Sequence, residues 1–347
     1  MAPRPRVLLL HTGGTLGMRR GADGSYAPAA GALATELAAL PEMRRAPLPE
    51  VDLLEFDPLL DSSDMHPEDW QRVADALAQR LPEVAGAVVL HGTDTMAYTA
   101  SALSFLLEGL DRPVILTGSQ IPLAEVRSDA RENLITALLL ACEPRLREVG
   151  VYMNGRLLRG NRCTKVSSSG FDAFDSPNLP ALAEVGVEVA WRDALLRAAS
   201  AGPLRAVRLR HVPVVALRLF PGITGATLRQ VLGDPVRGLV LETYGSGNAP
   251  SRDPDLLAAL AEASARGVVI VNVTQCLRGH VRMDTYAAGR GLEAAGVVSG
   301  GDMTAEAALT KLSVLLSQEL SPAVVAERMA ADLAGERSAS RGASQRW

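Results

Sequence analysis

The chain has only three cysteines in 347 residues, Cys142, Cys163 and Cys276, far apart and without a CxxC pair. That odd, scattered set excludes a disulfide framework and a cysteine zinc site, and fits reduced thiols in a cytoplasm. A basic excess is lacking too: 35 Lys and Arg stand against 39 Asp and Glu, a formal charge of -4, so the cations that nucleic-acid phosphates need are missing. No apolar run approaches a membrane span, and Val7 to Leu10, behind Arg4 and Arg6, is too short for a secretory signal core. The histidines form no HExxH or other ligand spacing. His66 and His280 read as polar loop residues, and His11 and His91 as hydrogen-bonded structure at strand ends. No nucleic acid, membrane or metal is expected as a partner; a small soluble ligand is.

What the chain does have is apolar bulk. With 48% apolar and 21% charged residues it can bury a large core, and its length suits two domains. Short apolar runs end in Gly, Ser, Thr or Asn and lead into helix-like segments: VLLL before HTGGTLG, AVVL before HGTDT, PVIL before TGSQIP, GLVLET before YGSGNAP, and GVVIVNV before TQC. They lack a period of two, as strands covered on both faces do, so the fold class is α/β with a mostly parallel sheet and flanking helices. Met96, Ala100, Leu103, Leu107 and Leu110 trace one helix, ending near Gly109. Trp70, Val73 and Leu77 trace another, with Pro67 suited to its first position and Glu68 and Asp69 to its positive end. Asp61 to Met65 then lies in a loop. Thr304 can cap a later helix with Glu306 in its first turn. The expected organisation is a larger N-terminal catalytic domain over 1–192 and an arginine-rich, solvated linker over 193–212. A smaller α/β domain over 213–334 follows, then a disordered or peripheral tail over 335–347.

In open parallel sheets, ligands sit beyond the carboxyl ends of the strands, so strand-to-helix turns distant in sequence meet in space. Here those turns supply Thr12, Thr15, Thr93, Asp94, Thr95, Ser119 and Gln120. HTGGTLGM has no lysine for a P-loop and its glycines are spaced GGxxG rather than GxGxxG, so neither phosphate nor a dinucleotide cofactor is expected. Either threonine turn alone also fits helix capping and close packing. The combination with Asp94 and with Lys165, in a polar loop, points further: a threonine hydroxyl becomes a nucleophile when a base takes its proton, and a lysine beside a carboxylate can be that base.

HTGGTLGM, DSSDM, HGTDTMAYTASAL, TGSQIP, TKVSSSGFDAF, TYGSGNAP and TQC together resemble the L-asparaginase family, most closely its bacterial cytoplasmic branch, and spread from residue 11 to about residue 320. The resemblance implies two α/β domains and metal-free, cofactor-free hydrolysis of L-asparagine to L-aspartate and ammonia through a β-aspartyl acyl-enzyme. It implies Thr15 as nucleophile, Tyr26 as the mobile-loop tyrosine that assists it, and Thr93, Asp94 and Lys165 as the second catalytic set. Ser62 and Asp94 would hold the substrate's α-carboxylate and α-amino group, with Asp61, Ser63, Thr93 and Ser119 as further substrate contacts. Asn248 would reach the active site of a neighbouring subunit, implying a homodimer or homotetramer.

Some positions depart from the family pattern. Tyr26 is displaced by about one residue in GADGSYAP. Glu242 stands where some relatives have an arginine of an asparagine effector site, although Thr164 and Cys276 match other parts of it, so weak or absent cooperativity is expected. The acid that secreted-type relatives donate across subunits has only Asp284 and Glu293 as weak candidates. Two alternatives stay open: a glutaminase or asparaginase of mixed specificity, and a non-catalytic amino-acid sensor on the same fold. The sensor would keep Ser62 and Asp94 but would not need Thr15 or Lys165.

Overall fold

The computed structural model describes residues 3–21, 24–29, 31–198, 202–250, 252–283 and 287–338. The chain divides into two compact units, residues 1–207 and 208–347.

Unit 1 is built on an eight-stranded sheet. Its strands are β1 (Arg6–Gly13), β2 (Glu50–Leu60), β3 (Gly86–Leu90), β4 (Val114–Thr117), β5 (Val149–Met153), β6 (Arg156–Arg159), β7 (Ala183–Val185) and β8 (Val189–Trp191), in the order β8-β7-β6-β5-β4-β3-β1-β2. The first five are parallel, with β1 central between β2 and β3, and β6 to β8 continue the sheet antiparallel. Every residue of β1 from Val7 onward is buried, because helices cover both faces and no side chain of the strand meets water. Those helices are α1 (Ala32–Ala39), α2 (Pro67–Arg80), α3 (Met96–Leu106) and α4 (Ala130–Leu140). Helix α2 begins at Pro67 and buries Trp70, Val73 and Leu77, and Asp69 accepts a hydrogen bond from the His66 amide at 3.0 Å. Helix α3 ends one turn earlier than its leucine spacing predicts. Leu107–Glu108 leave it to pair with Arg205–Ala206, and Gly109 (φ +76°) turns the chain where a Cβ would meet the Pro203 carbonyl carbon at 2.6 Å.

Strand β2 is absent from the sequence expectation. Its Glu50, Asp52, Glu55, Asp57 and Pro58 hide the apolar residues between them, and an edge strand tolerates both the charges and the proline. Asp52 takes guanidinium contacts from Arg6 and Arg80, which neutralise one of those charges.

The stretch read as a linker is largely tied down in its first part. Leu195 and Leu196 pack on the core of unit 1, and the Arg197 amide donates to Glu148 at 3.0 Å. Glu148 also holds the buried Arg159 at 2.5 Å, so this corner of the sheet is closed by a buried ion pair with backbone partners.

Unit 2 carries four parallel strands, β9 (Val214–Arg218), β10 (Gly238–Thr243), β11 (Val269–Thr274) and β12 (Val298–Ser299), side by side in chain order. Its helices are α5 (Gly225–Val231), α6 (Pro254–Ala265), α7 (Ala287–Ala294), α8 (Ala305–Leu316) and α9 (Pro322–Ala330). Thr304 caps α8, its hydroxyl accepting from the Ala307 amide at 3.1 Å. One apolar cluster of the sheet gathers Leu239, Leu241 and Ile270, and a second gathers Val240, Val271 and Leu312.

The first residues of the stretch expected to be disordered or peripheral are packed, and Glu336 is fully buried. It pairs with the equally buried Lys311 at 2.5 Å, while accepting the Leu333 and Ala334 amides. Arg337 donates to the carbonyls of Ser299 and Met329, and Ser338 bonds Asp302. No apolar stripe announces this anchoring because charge pairing carries it; residues 339–347 lie outside the described set.

Candidate active site

The turns after β1 and β3 and the loop after β2 interlock through backbone contacts that only glycine allows. A Cβ on Gly13 (φ +134°) would lie 2.8 Å from the Leu60 nitrogen, and one on Gly14 (φ +87°) would lie 2.6 Å from the Gly92 Cα. Gly92 in turn leaves no room toward Ser62, whose Cβ would be 2.7 Å from an added methyl. The glycine pair of TGGT therefore presses the Thr15 turn onto HGTDT and DSSD at once. Hydroxyls complete the joint: Thr12 donates to the Leu90 carbonyl at 2.8 Å and Thr95 to the Ser62 carbonyl at 2.7 Å.

Two histidines lie beneath these turns. His91 is buried; Nδ1 lies 2.7 Å from the Gly92 carbonyl and Nε2 lies 2.8 Å from the Thr99 hydroxyl. A carbonyl only accepts, so Nδ1 carries the proton and Nε2 accepts from Thr99. Burial pushes its pKa down to about 4, so it is neutral at physiological pH. His11 is equally buried but departs from expectation, because neither ring nitrogen has a hydrogen-bond partner. Its ring lies under Gly17, where a Cβ would meet it at 2.7 Å, and Nδ1 stands 3.7 Å from Glu55. Burial lowers its pKa, and the Glu55 carboxylate partly offsets that.

The residues best gathered are Thr93, Asp94 and Lys165. Lys165 sits in a two-residue strand, Thr164–Lys165, paired antiparallel with Phe174–Asp175. Its Nζ donates to Thr93 Oγ1 at 2.8 Å and to Asp94 Oδ1 at 2.7 Å. Asp94 is 65% exposed, so solvent screens the ion pair and its worth to stability is at most about 1 kcal/mol. Its value is positional: it fixes a lysine nitrogen beside a buried hydroxyl. Thr93 also donates to Gln120 Oε1 at 3.2 Å.

The other candidates occupy distinct settings. Thr15 opens a single 3-10 turn, Thr15–Gly17, and is half-buried. Ser62 is buried, and Asp61 caps its turn by accepting from the Ser63 amide at 2.9 Å and hydroxyl at 2.8 Å. Ser119 is buried with its hydroxyl unpaired. Tyr26 is 44% exposed, in a strand, Tyr26–Pro28, paired with Met18–Arg20. Its hydroxyl donates to Glu125 at 3.0 Å, which raises its pKa, so its partner in the structure is a carboxylate and not Thr15 or Thr93. Tyr26, Gln120, Pro122, Glu125 and Arg127 line a cleft of about 390 Å³. Asn248 belongs to unit 2, where its backbone closes a turn on Tyr244. Glu242 is paired with Arg218 at 2.7 Å. Asp284 lies outside the described residues. Among the described residues no group of three or more His, Cys, Asp or Glu side chains could hold a metal ion, and no helix is long and apolar enough to cross a membrane.

Gln120, His91 and Thr99 stand among the supporting contacts without having been singled out as site residues. All three lie within quoted motifs, Gln120 in TGSQIP and His91 and Thr99 in HGTDTMAYTASAL, and Gln120 also in a strand-to-helix turn.

Comparison with known proteins extends over both units. The family model "Asparaginase, N-terminal" matches residues 6–197 and "Glutaminase/Asparaginase C-terminal domain" matches residues 213–329. The chain is 48% identical over 330 residues to "L-asparaginase 1" of Escherichia coli (strain K12), covering 95% of this chain and 97% of that protein. It is 45% identical over 359 residues to "60 kDa lysophospholipase" of Mus musculus, covering 97% of this chain and 63% of that longer protein. The crystal structure of L-asparaginase I from Vibrio cholerae matches with a TM-score of 0.90 at 46% identity, covering 97% of this chain and 100% of that one.

Proposed function

The chain belongs to the asparaginase family, whose models match its two halves, and from that premise we propose that it hydrolyses L-asparagine to L-aspartate and ammonia with Thr15 as nucleophile. The observation that carries this reading is the Lys165 to Thr93 to Asp94 contact set, since an ammonium or amine held at 2.8 Å from a buried hydroxyl has a use in proton handling.

Two displacements follow from these roles. Thr15 Oγ attacks the side-chain carboxamide carbon, and its proton passes to the leaving nitrogen through Lys165, or through Tyr26 once its hydroxyl has left Glu125. Backbone N–H groups near Thr93 face the oxyanion, each such donor being worth roughly 3 to 4 kcal/mol of barrier. Ammonia departs and leaves a β-aspartyl ester on Thr15. Water held by Thr93 and Lys165 then bonds the acyl carbon, the ester bond breaks, and aspartate leaves. Ser62 and Asp94, with Asp61, Ser63 and Ser119 beside them, are the contacts for the substrate's α-carboxylate and α-amino group. Asn248 from a neighbouring copy completes the site in a homodimer or homotetramer, and the enzyme works in the cytoplasm. No cofactor enters any step.

Steady-state ammonia release from L-asparagine and from L-glutamine tests the proposal. Release from asparagine is expected. Binding of L-aspartate with no turnover of either amide would replace it with an amino-acid sensor.

A further inference from the structure

We infer that Gln120 is a positioning residue for the second displacement, acting by fixing which way the Thr93 hydroxyl proton points; this rests on the proposed acyl-enzyme reaction. The Gln120 amide is held from both ends. Its Nε2 donates to the Gly170 carbonyl at 3.0 Å, and its Oε1 lies 3.2 Å from Thr93 Oγ1. A carbonyl cannot donate, so the Gly170 contact sets the orientation of the amide and leaves Oε1 facing Thr93. Oε1 can only accept, and a threonine hydroxyl has one proton, so that proton is committed to Gln120. Thr93 is left with two lone pairs. One takes the Lys165 N–H at 2.8 Å.

The remaining lone pair can only accept. A water approaching Thr93 must therefore donate an O–H to it, which turns the water's own lone pair away from Thr93 and toward an acyl carbon. Were the Thr93 proton free to swing, it could bond that same water lone pair and block attack. In the step itself the water oxygen bonds the acyl carbon and the ester bond to Thr15 Oγ breaks. The Lys165 ammonium gives a proton to the departing Thr15 Oγ and recovers one from the attacking water, so the proton count closes. Gln120 touches none of the reacting atoms.

The backbone of Gln120 is anchored separately. Its amide and that of Ile121 donate to the Asp129 carboxylate at 3.0 to 3.1 Å, and Asp129 also accepts from Asn133. A change of side chain at 120 thus leaves the turn its own supports.

The test compares wild type, Gln120→Met and Gln120→Glu in pre-steady-state ammonia release and in partition between water and hydroxylamine. Methionine removes the acceptor. Deacylation should slow by on the order of 10²-fold, the cost of a misplaced reacting group. KM should then fall with kcat, one equivalent of ammonia should burst from each site, and hydroxylamine should restore turnover as the hydroxamate. Glutamate keeps an acceptor toward Thr93 while it loses the donor to Gly170 and adds a negative charge, so its partition ratio should stay far closer to wild type than that of methionine even where its melting point drops. A Gln120→Met enzyme with no burst and an unchanged partition ratio overturns the inference, as does a Gln120→Glu enzyme whose ratio shifts as far as that of methionine. Wild type that releases no ammonia from asparagine overturns instead the proposed function beneath it.

Discussion

His91 should make unit 1 sensitive to acid, and the size of the effect follows from its burial. The imidazole lies beneath the HGTDT turn with Nδ1–H committed to the Gly92 carbonyl and Nε2 to Thr99, and its pKa falls from 6.5 to about 4. Below 6.5 the unfolded chain takes up a proton that the folded chain refuses until about pH 4, so lowering the pH through that window favours unfolding. For these two values, going from pH 7 to pH 5 removes about 2 kcal/mol through this one group. The assay is urea unfolding at both pH values, followed through Trp70 and Trp191, which lie in this unit. Wild type is compared with His91→Gln, which keeps a donor for Gly92 but does not titrate. Other acid-labile groups contribute to both proteins and cancel in the difference. Wild type should lose about 2 kcal/mol more than His91→Gln over that interval. Equal losses would mean that the ring is as easily protonated in the fold as in water, and would refute the buried neutral assignment.

Gly14 and Gly31 make a matched pair. Both have positive φ, but a Cβ on Gly14 meets Gly92 backbone while one on Gly31 meets nothing within 4 Å. Gly31→Ala should cost about 1 kcal/mol in thermal melts, whereas Gly14→Ala should cost more and abolish ammonia release by displacing the Thr15 turn. Glu336→Leu leaves the Lys311 ammonium buried and unpaired and should destabilise unit 2 by about 3 to 5 kcal/mol, whereas adding Lys311→Met should recover most of that loss. The rate of ammonia release should rise hyperbolically with asparagine, because Glu242, engaged by Arg218, presents a carboxylate where an effector carboxylate would need a cation. A sigmoidal curve abolished by changing Cys276 would contradict that.

Much of the site was legible because its joints are steric. The glycines of TGGT and HGTDT mark turns after buried strands, and the structure presses them together as their lack of side chains allows. Thr93, Asp94 and Lys165 could be grouped by chemistry alone, since a hydroxyl needs a base and the base needs a partner. What sequence did not reveal depends on pairing across space. Strand β2 carries several acidic residues, one of which, Asp52, is paired by Arg6 and Arg80, which lie elsewhere in the chain. Glu336 looks like a solvated tail residue until Lys311 is placed against it. Gln120 stands in the TGSQIP turn, but nothing in that motif gives it a role, because its effect lies in the direction of one proton between Thr93 and the Gly170 carbonyl. The resemblance directs Tyr26 toward the nucleophile, but its hydroxyl bonds Glu125, a contact between a short strand and a loop that no spacing rule foretells.

The identity of the attacking residue can be measured directly. Wild type, Thr15→Val and Thr93→Val are mixed with L-asparagine, quenched in acid within the first turnover, and digested for mass spectrometry. The expected result is an aspartyl ester on the peptide containing Thr15, stronger in Thr93→Val, where the second displacement is slowed, and missing from Thr15→Val. An ester on the Thr93 peptide, or one that persists in Thr15→Val, would contradict Thr15 as the nucleophile.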